Sequence, residues 1–132
     1  MKRLLCLFAL ILVLTSGCSK EEAEPAVQER PAPIVRIDAP ATAQAGETVT
    51  VDVYFQVNGG CGQFGSFDVS SSGKEMTIRV VAKYKGNMCT DDLPIRKATY
   101  TFRPTEAGTY TLKFRSTTQV GFIIATIEVN TP

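Results

Sequence analysis

Residues 104–115 read P-T-E-A-G-T-Y-T-L-K-F-R, a turn followed by an alternating run. Pro104 and Gly108 supply the turn. Beyond them Tyr110, Leu112 and Phe114 alternate with Thr109, Thr111, Lys113 and Arg115, so one face is apolar and the other polar. Successive side chains of a strand point to opposite faces, so this is the pattern of a half-buried β-strand. The same period recurs outward in both directions. Across residues 48–57, Val49, Val51, Val53, Phe55 and Val57 alternate with Thr48, Thr50, Asp52, Tyr54 and Gln56, the cleanest alternation in the chain. Ile34–Asp38 is a short strand ended by Ala39 and Pro40, and Ala45-Gly46-Glu47 is a turn. Phe64, Phe67 and Val69 mark a less regular strand, closed by Ser71, Ser72, Gly73 and Lys74. Met76, Ile78, Val80, Ala82 and Tyr84 share the inner face of the next. A further strand lies near residues 98–102, and the last spans about 120–129 with Ile123, Ala125, Ile127 and Val129 on one side. Seven short strands separated by turn signals, with no helical period among them, predict an all-β, seven-stranded antiparallel sandwich over residues 34–132.

The opening stretch also carries a resemblance. A-G-T-Y-T-L at residues 107–112 resembles the corner of Ig-like and fibronectin-III-like sandwiches, where a tyrosine hydroxyl bonds to backbone upstream and a core residue follows two positions later. The resemblance implies that Tyr110 is a structural corner and that Leu112 stands in the core position where antibody domains carry a cysteine. It implies an Ig-like fold and no reaction.

At the other end, Lys2 and Arg3 precede an apolar run over residues 4–14, the layout of a secretory signal and too short to cross a bilayer as a mature helix. Leu14-Thr15-Ser16-Gly17-Cys18 resembles the lipobox of bacterial lipoproteins, with Thr15 where that family more often has Leu, Val or Ile. The resemblance implies removal of residues 1–17 as a signal peptide and acylation of Cys18, which makes the lipid bilayer a partner. Two or three long chains at roughly 0.8 kcal/mol per buried methylene would make such an anchor effectively permanent. Ser19-Lys20-Glu21-Glu22 looks like the export signal of Bacteroidetes lipoproteins. The implied location is the bacterial outer membrane, at the cell surface or on the periplasmic face. Residues 18–33, with Pro25, Pro31 and Pro33 and little to bury, are expected to form a disordered tether. At about 3.3 Å per residue it would reach roughly 50 Å.

Without residues 1–17, Lys plus Arg falls from 14 to 12 against 13 Asp plus Glu, a formal charge of −1. That balance gives no reason to expect a nucleic-acid partner. Of the four cysteines, Cys6 would leave with the signal and Cys18 would carry the lipid. Cys61 and Cys89 are then expected to pair in an oxidising compartment. A metal at these cysteines would need further soft ligands, and the chain has no histidine.

Four stretches invite a functional reading. G-C-G-Q-F-G at residues 60–65 matches the dinucleotide fingerprint letter for letter, but Ser66-Phe67-Asp68-Val69 follows as a strand where the fingerprint needs a helix N-terminus. No nucleotide is expected, and the glycines are assigned to positive φ and close approach around the disulfide. Residues 87–94 form the longest irregular segment. The plain reading is a connection, and two aspartates do not assemble a calcium site; any ligand surface is assigned to this loop, at Asn87, Met88, Asp91 and Asp92, together with Asn58, Gln63 and Phe64. Arg79, Lys83 and Lys85 form an outward basic stripe, attributed to protection against edge-to-edge pairing in preference to an anionic partner. Phe122-Ile123-Ile124 is apolar on both faces and is attributed to a covered last strand, the alternative being an exposed patch for a partner.

The chemistry points away from catalysis. The usual general base near neutral pH is missing with histidine. Ser72 and Lys74 are too close for a dyad, and Asp91 and Asp92 are adjacent and face opposite sides if extended. No enzyme activity and no cofactor are expected. The expected function is a membrane-anchored, non-catalytic binding or assembly module for a protein or glycan partner. An inhibitor of a secreted protease and a structural spacer of the cell envelope are the alternatives.

Overall fold

The computed structural model describes residues 17, 26–117 and 121–132. Cys18 and most of the expected signal and tether lie outside the described residues. Among those described there is no helix and there are nine strands: β1 (Gln28–Ala32), β2 (Ile34–Asp38), β3 (Thr42–Gln44), β4 (Val49–Gln56), β5 (Gly62–Ser72), β6 (Glu75–Tyr84), β7 (Ile95–Phe102), β8 (Gly108–Arg115) and β9 (Phe122–Asn130). They form two sheets. β2, β4 and β7 make the smaller one, and β1, β6, β8, β9 and β3 follow in order in the larger, where β5 also pairs with β6.

The alternating faces meet between the sheets. Val49, Val51, Val53 and Phe55 of β4 oppose Met76, Ile78, Val80 and Ala82 of β6 together with Tyr110, Leu112 and Phe114 of β8, all buried. No charged side chain is buried among the described residues, and the hydroxyls of the buried Tyr100 and Tyr110 are directed at the Met76 sulfur and the Glu106 carbonyl, so the core meets the desolvation rule without internal ion pairs. A run of aromatic contacts crosses it: Phe55 to Phe64 at 6.0 Å, Phe64 to Phe67 at 4.7 Å and Phe67 to Tyr100 at 5.3 Å between centroids. Tyr110 donates its hydroxyl to the Glu106 carbonyl oxygen at 3.0 Å, and Leu112 is fully buried two residues on.

Nine strands replace the expected seven, and two ladders are parallel: β3 with β9, and the first part of β6 with β8. The additional strands are β1 and β3. β1 falls in the stretch expected to be a disordered tether. Its physical reason is a vacancy on β6: β8 pairs with residues 75–78 of β6 and stops, and β1 takes up residues 80–84 along the same edge. An edge strand tolerates Pro31, and β1 places one side chain, Ala32, in the core. Pro33 then carries the chain across to β2 in the other sheet.

Two assignments made on outward faces change. β6 is an interior strand, with β5 on one side and β8 and β1 on the other, so Arg79 and Lys83 guard no edge. Arg79 instead forms an ion pair with Asp68, and Lys83 lies 3.8 Å from Glu29. β9 is not covered on its outer side: Phe122 is 37% and Ile124 58% exposed.

Candidate binding site

The loop after β4 and the loop after β6 lie together at one end of the sandwich. They continue the β4–β7 ladder as a backbone zipper: the amides of Val57, Gly59 and Gly60 donate to the carbonyls of Pro94, Asp92 and Thr90 at 3.0, 2.8 and 3.1 Å. Cys61 and Cys89 close it with a disulfide, their Cα atoms 5.2 Å apart. The Tyr84 hydroxyl accepts from the Asn58 amide at 2.9 Å, and Thr90 donates to Asp92 Oδ1 at 2.7 Å.

Arg96 completes the lock. Its Nε and a terminal nitrogen donate to the carbonyls of Gly62 and Gly60, each at 3.1 Å. One planar guanidinium thus fixes both sides of the glycine turn, a geometry that suits its fork. Sequence reasoning missed it, although the signal was present: parity puts Arg96 on the face of Ala98 and Tyr100, and an arginine on a core-facing position needs acceptors.

The three glycines of the G-x-G-x-x-G match are needed for space. A Cβ on Gly62 would sit 2.4 Å from Val57 Cβ, one on Gly65 2.7 Å from the Val81 carbonyl, and one on Gly60 2.0 Å from the Thr90 hydroxyl. None of the three has positive φ, which belongs to Gly59 next to them. Close approach is therefore their role, and the positive-φ half of the expectation does not hold for them.

The expected site residues divide into two groups. Asn87, Met88, Asp91 and Asp92 all lie exposed on the β6–β7 loop, Met88 at 97%, and Asn58 is exposed on the facing loop. Gln63 and Phe64 are strand residues paired with Lys83 and Ala82, and a bulge between Phe64 and Ser66 turns the Phe64 ring toward Phe55 and Phe67. Phe64 belongs to the rim of the core rather than to a loop. Leu93 and Ile95, 59% and 56% exposed, add apolar surface at the same end that was not singled out from the sequence. Leu93 borders a groove of about 110 Å³ shared with Tyr84, Pro31 and Pro33. Cys18 lies outside the described residues.

A second concavity opens where β1 and β8 part along β6. It measures about 420 Å³ between Pro31, Pro33, Ser116 and Thr117, with Arg79 and Arg115 on its wall. Asp68 already engages Arg79, and the Arg115 guanidinium lies 5.1 Å over the Phe122 ring.

These features define an all-β sandwich domain that presents a short polar and apolar loop from a covalently and electrostatically fixed end. More particularly, the chain belongs to the ORF11 β-sandwich domain family, whose model matches residues 51–123, more than half of the 132. The match runs from the third residue of β4 into β9 and includes both loops of the locked end. Neither a curated protein nor a solved structure matches the chain.

Proposed function

We propose that this domain is a non-catalytic recognition module, held on a bacterial outer membrane through lipid on Cys18, that binds a protein or glycan partner with its disulfide-locked end. The observation carrying this reading is the contrast at residues 87–95. The backbone beside them is fixed by three hydrogen bonds, a disulfide and Arg96, while Met88, Leu93 and Ile95 remain in solvent. A surface already ordered before contact loses less entropy on binding, and unbranched, polarizable methionine suits an adaptable contact. The lipobox-like run before Cys18 supports the anchor.

Two experiments test it. Fatty-acid labelling of the expressed chain should vanish with Cys18→Ala; persistent labelling would remove the anchor. Binding of labelled protein to a glycan array and to separated envelope proteins should be lost when Met88→Glu and Leu93→Glu are combined, with the melting temperature unchanged. Retained binding by that double variant would remove the loop from the site. Protease inhibition is kept as a second reading on one observation, the protrusion of Met88 beside a disulfide cysteine. It requires that Met88→Glu abolish inhibition of at least one secreted protease.

A further inference from the structure

β9 is paired along its length with β8, but on its other side β3 covers only Glu128, Val129 and Asn130. Among the described residues, nothing pairs with residues 122–127 on that side. The core registers the gap. Val129, flanked by β3, and Ile127 just before the covered part are 3% and 0% exposed, whereas Ile123 and Ala125, on the same inward face, are only half-buried.

Residues 122–127 read F-I-I-A-T-I, without a charge, a proline or a glycine. Edge strands normally carry one of these or a bulge. Four other edges here do: Pro31 on β1, a bulge and two charges on β2, a bulge and Asp68 on β5, Arg96 and Lys97 on β7, while β3 is only three residues long, too short to template a partner. The open part of β9 has neither these devices nor the shortness of β3.

The hydrogen-bond phase is fixed by the part that is paired. The Glu128 amide donates to the Ala41 carbonyl at 3.0 Å, and the Asn130 carbonyl accepts from the Ala45 amide at 2.9 Å. Polar groups alternate sides along a strand, so Phe122, Ile124 and Thr126 turn their amides and carbonyls to the open edge. We propose that this edge pairs with the same edge of a second copy of the chain, antiparallel and centred on Ile124. In that register residue 122 lies opposite 126 and 124 opposite its own copy, so every open amide and carbonyl of the three finds a partner. Moving the centre to Ala125 would set 122 against Glu128, whose amide is already bonded to Ala41. Charge selects the antiparallel sense. Arg115 lies beside Phe122 at one end of the segment and Glu128 stands at the other, so a two-fold axis brings each positive end toward the other copy's negative end. The exposed Ile124 would then face its own copy directly, with the exposed Phe122 as its diagonal neighbour across the new ladder.

Sedimentation of the full-length chain over rising concentration tests this. A monomer–dimer equilibrium is expected, and Ile124→Lys, which sets two ammonium groups face to face on the axis, should return the chain to monomer, while Val35→Lys on β2 should not. Ile124→Cys should add a disulfide-linked dimer beyond the parent chain, because the two Cα atoms would be roughly 5.5 Å apart; Met88→Cys should add none. Amide exchange of the wild type at residues 122, 124 and 126 should slow as concentration rises. A chain that stays monomeric overturns the proposal, as does a dimer that survives Ile124→Lys or equal cross-linking through Met88→Cys. Protection of these amides in a monomer, independent of concentration, would mean that another part of the chain covers the edge and would overturn it too. Met88→Glu leaves every one of these readouts unchanged, so the test is independent of the loop reading.

Discussion

Two side-chain hydrogen-bond donors, Tyr110 and Arg96, hold backbone at the turns where strands begin, and they differ in what their loss would leave behind. Tyr110 gives one hydroxyl to the Glu106 carbonyl at the half-buried β7–β8 corner. Tyr110→Phe keeps the ring in the core and forfeits a single neutral bond, so a loss of about 1 kcal/mol is expected, read as a lower midpoint in denaturant. Arg96 serves two carbonyls at once with a charged group, in a turn where Gly60 and Gly62 leave no room for a rearranged side chain. Arg96→Met keeps the apolar stem and strips the donors; the expected cost is about 2–3 kcal/mol. Arg96→Lys should recover only part of it, because a point charge reaches one carbonyl where the fork reaches two. If Arg96→Met and Tyr110→Phe cost the same, the double contact adds nothing to the turn.

At the level of elements, β1 is the strand whose contribution is least apparent from its residues. Q-E-R-P-A holds a proline and two charges and buries only Ala32, yet it supplies the partner for residues 80–84 of β6 after β8 has ended. Deleting residues 26–32 should therefore open that edge, cost on the order of 2–4 kcal/mol and speed amide exchange across residues 80–84 while leaving residues 49–56 protected. Unchanged exchange there would show β1 to be dispensable. The same strand shows what can be read in a sequence and what cannot. β4 was legible because eight residues alternate without a break, and β6 and β8 likewise, since each buries one whole face. β1 and β3 were not, because a short edge strand needs little apolar surface and leaves almost no pattern. β5 was blurred by its bulge, which shifts the period between Phe64 and Ser66. The parallel β6–β8 ladder depends on pairing across the chain and has no local signature. At the candidate site the cysteine pair and the exposed loop could be read from the sequence. Gln63 and Phe64, grouped with that loop, begin β5 instead, and the bulge that turns the Phe64 ring inward leaves no mark in the sequence.

Over the whole molecule, the shifted groups among the described residues set an alkaline limit to stability. There is no histidine, so no side chain with an ordinary pKa near neutrality is present to unbalance the fold there. On the alkaline side two groups among the described residues hold their protons longer when folded. A hydrogen bond to Asp52, and then that carboxylate's charge, raise Lys97 above its usual 10.5, the two groups lying 3.2 Å apart. Burial raises Tyr100 above its usual 10.0, its hydroxyl facing only the Met76 sulfur at 3.7 Å. A raised pKa means that the folded chain keeps a proton the unfolded chain releases, so each contribution is complete below the unfolded value and drains as pH climbs toward the folded one. Lys97 lies on the surface in an exposed ion pair and solvent screens its share, which leaves Tyr100 as the principal contributor. The denaturant midpoint should hence begin to fall as pH rises past the usual tyrosine value of 10.0. Tyr100→Phe removes the ionisable phenol while keeping the ring against Phe67 and Phe114, so the variant should show a shallower alkaline fall than the wild type. A wild-type profile as flat at pH 11 as at pH 8, or a variant with an identical slope, would mean that the phenol of Tyr100 reaches water in the folded state and that the sandwich is less tightly closed at its centre than the packing of its aromatic rings implies.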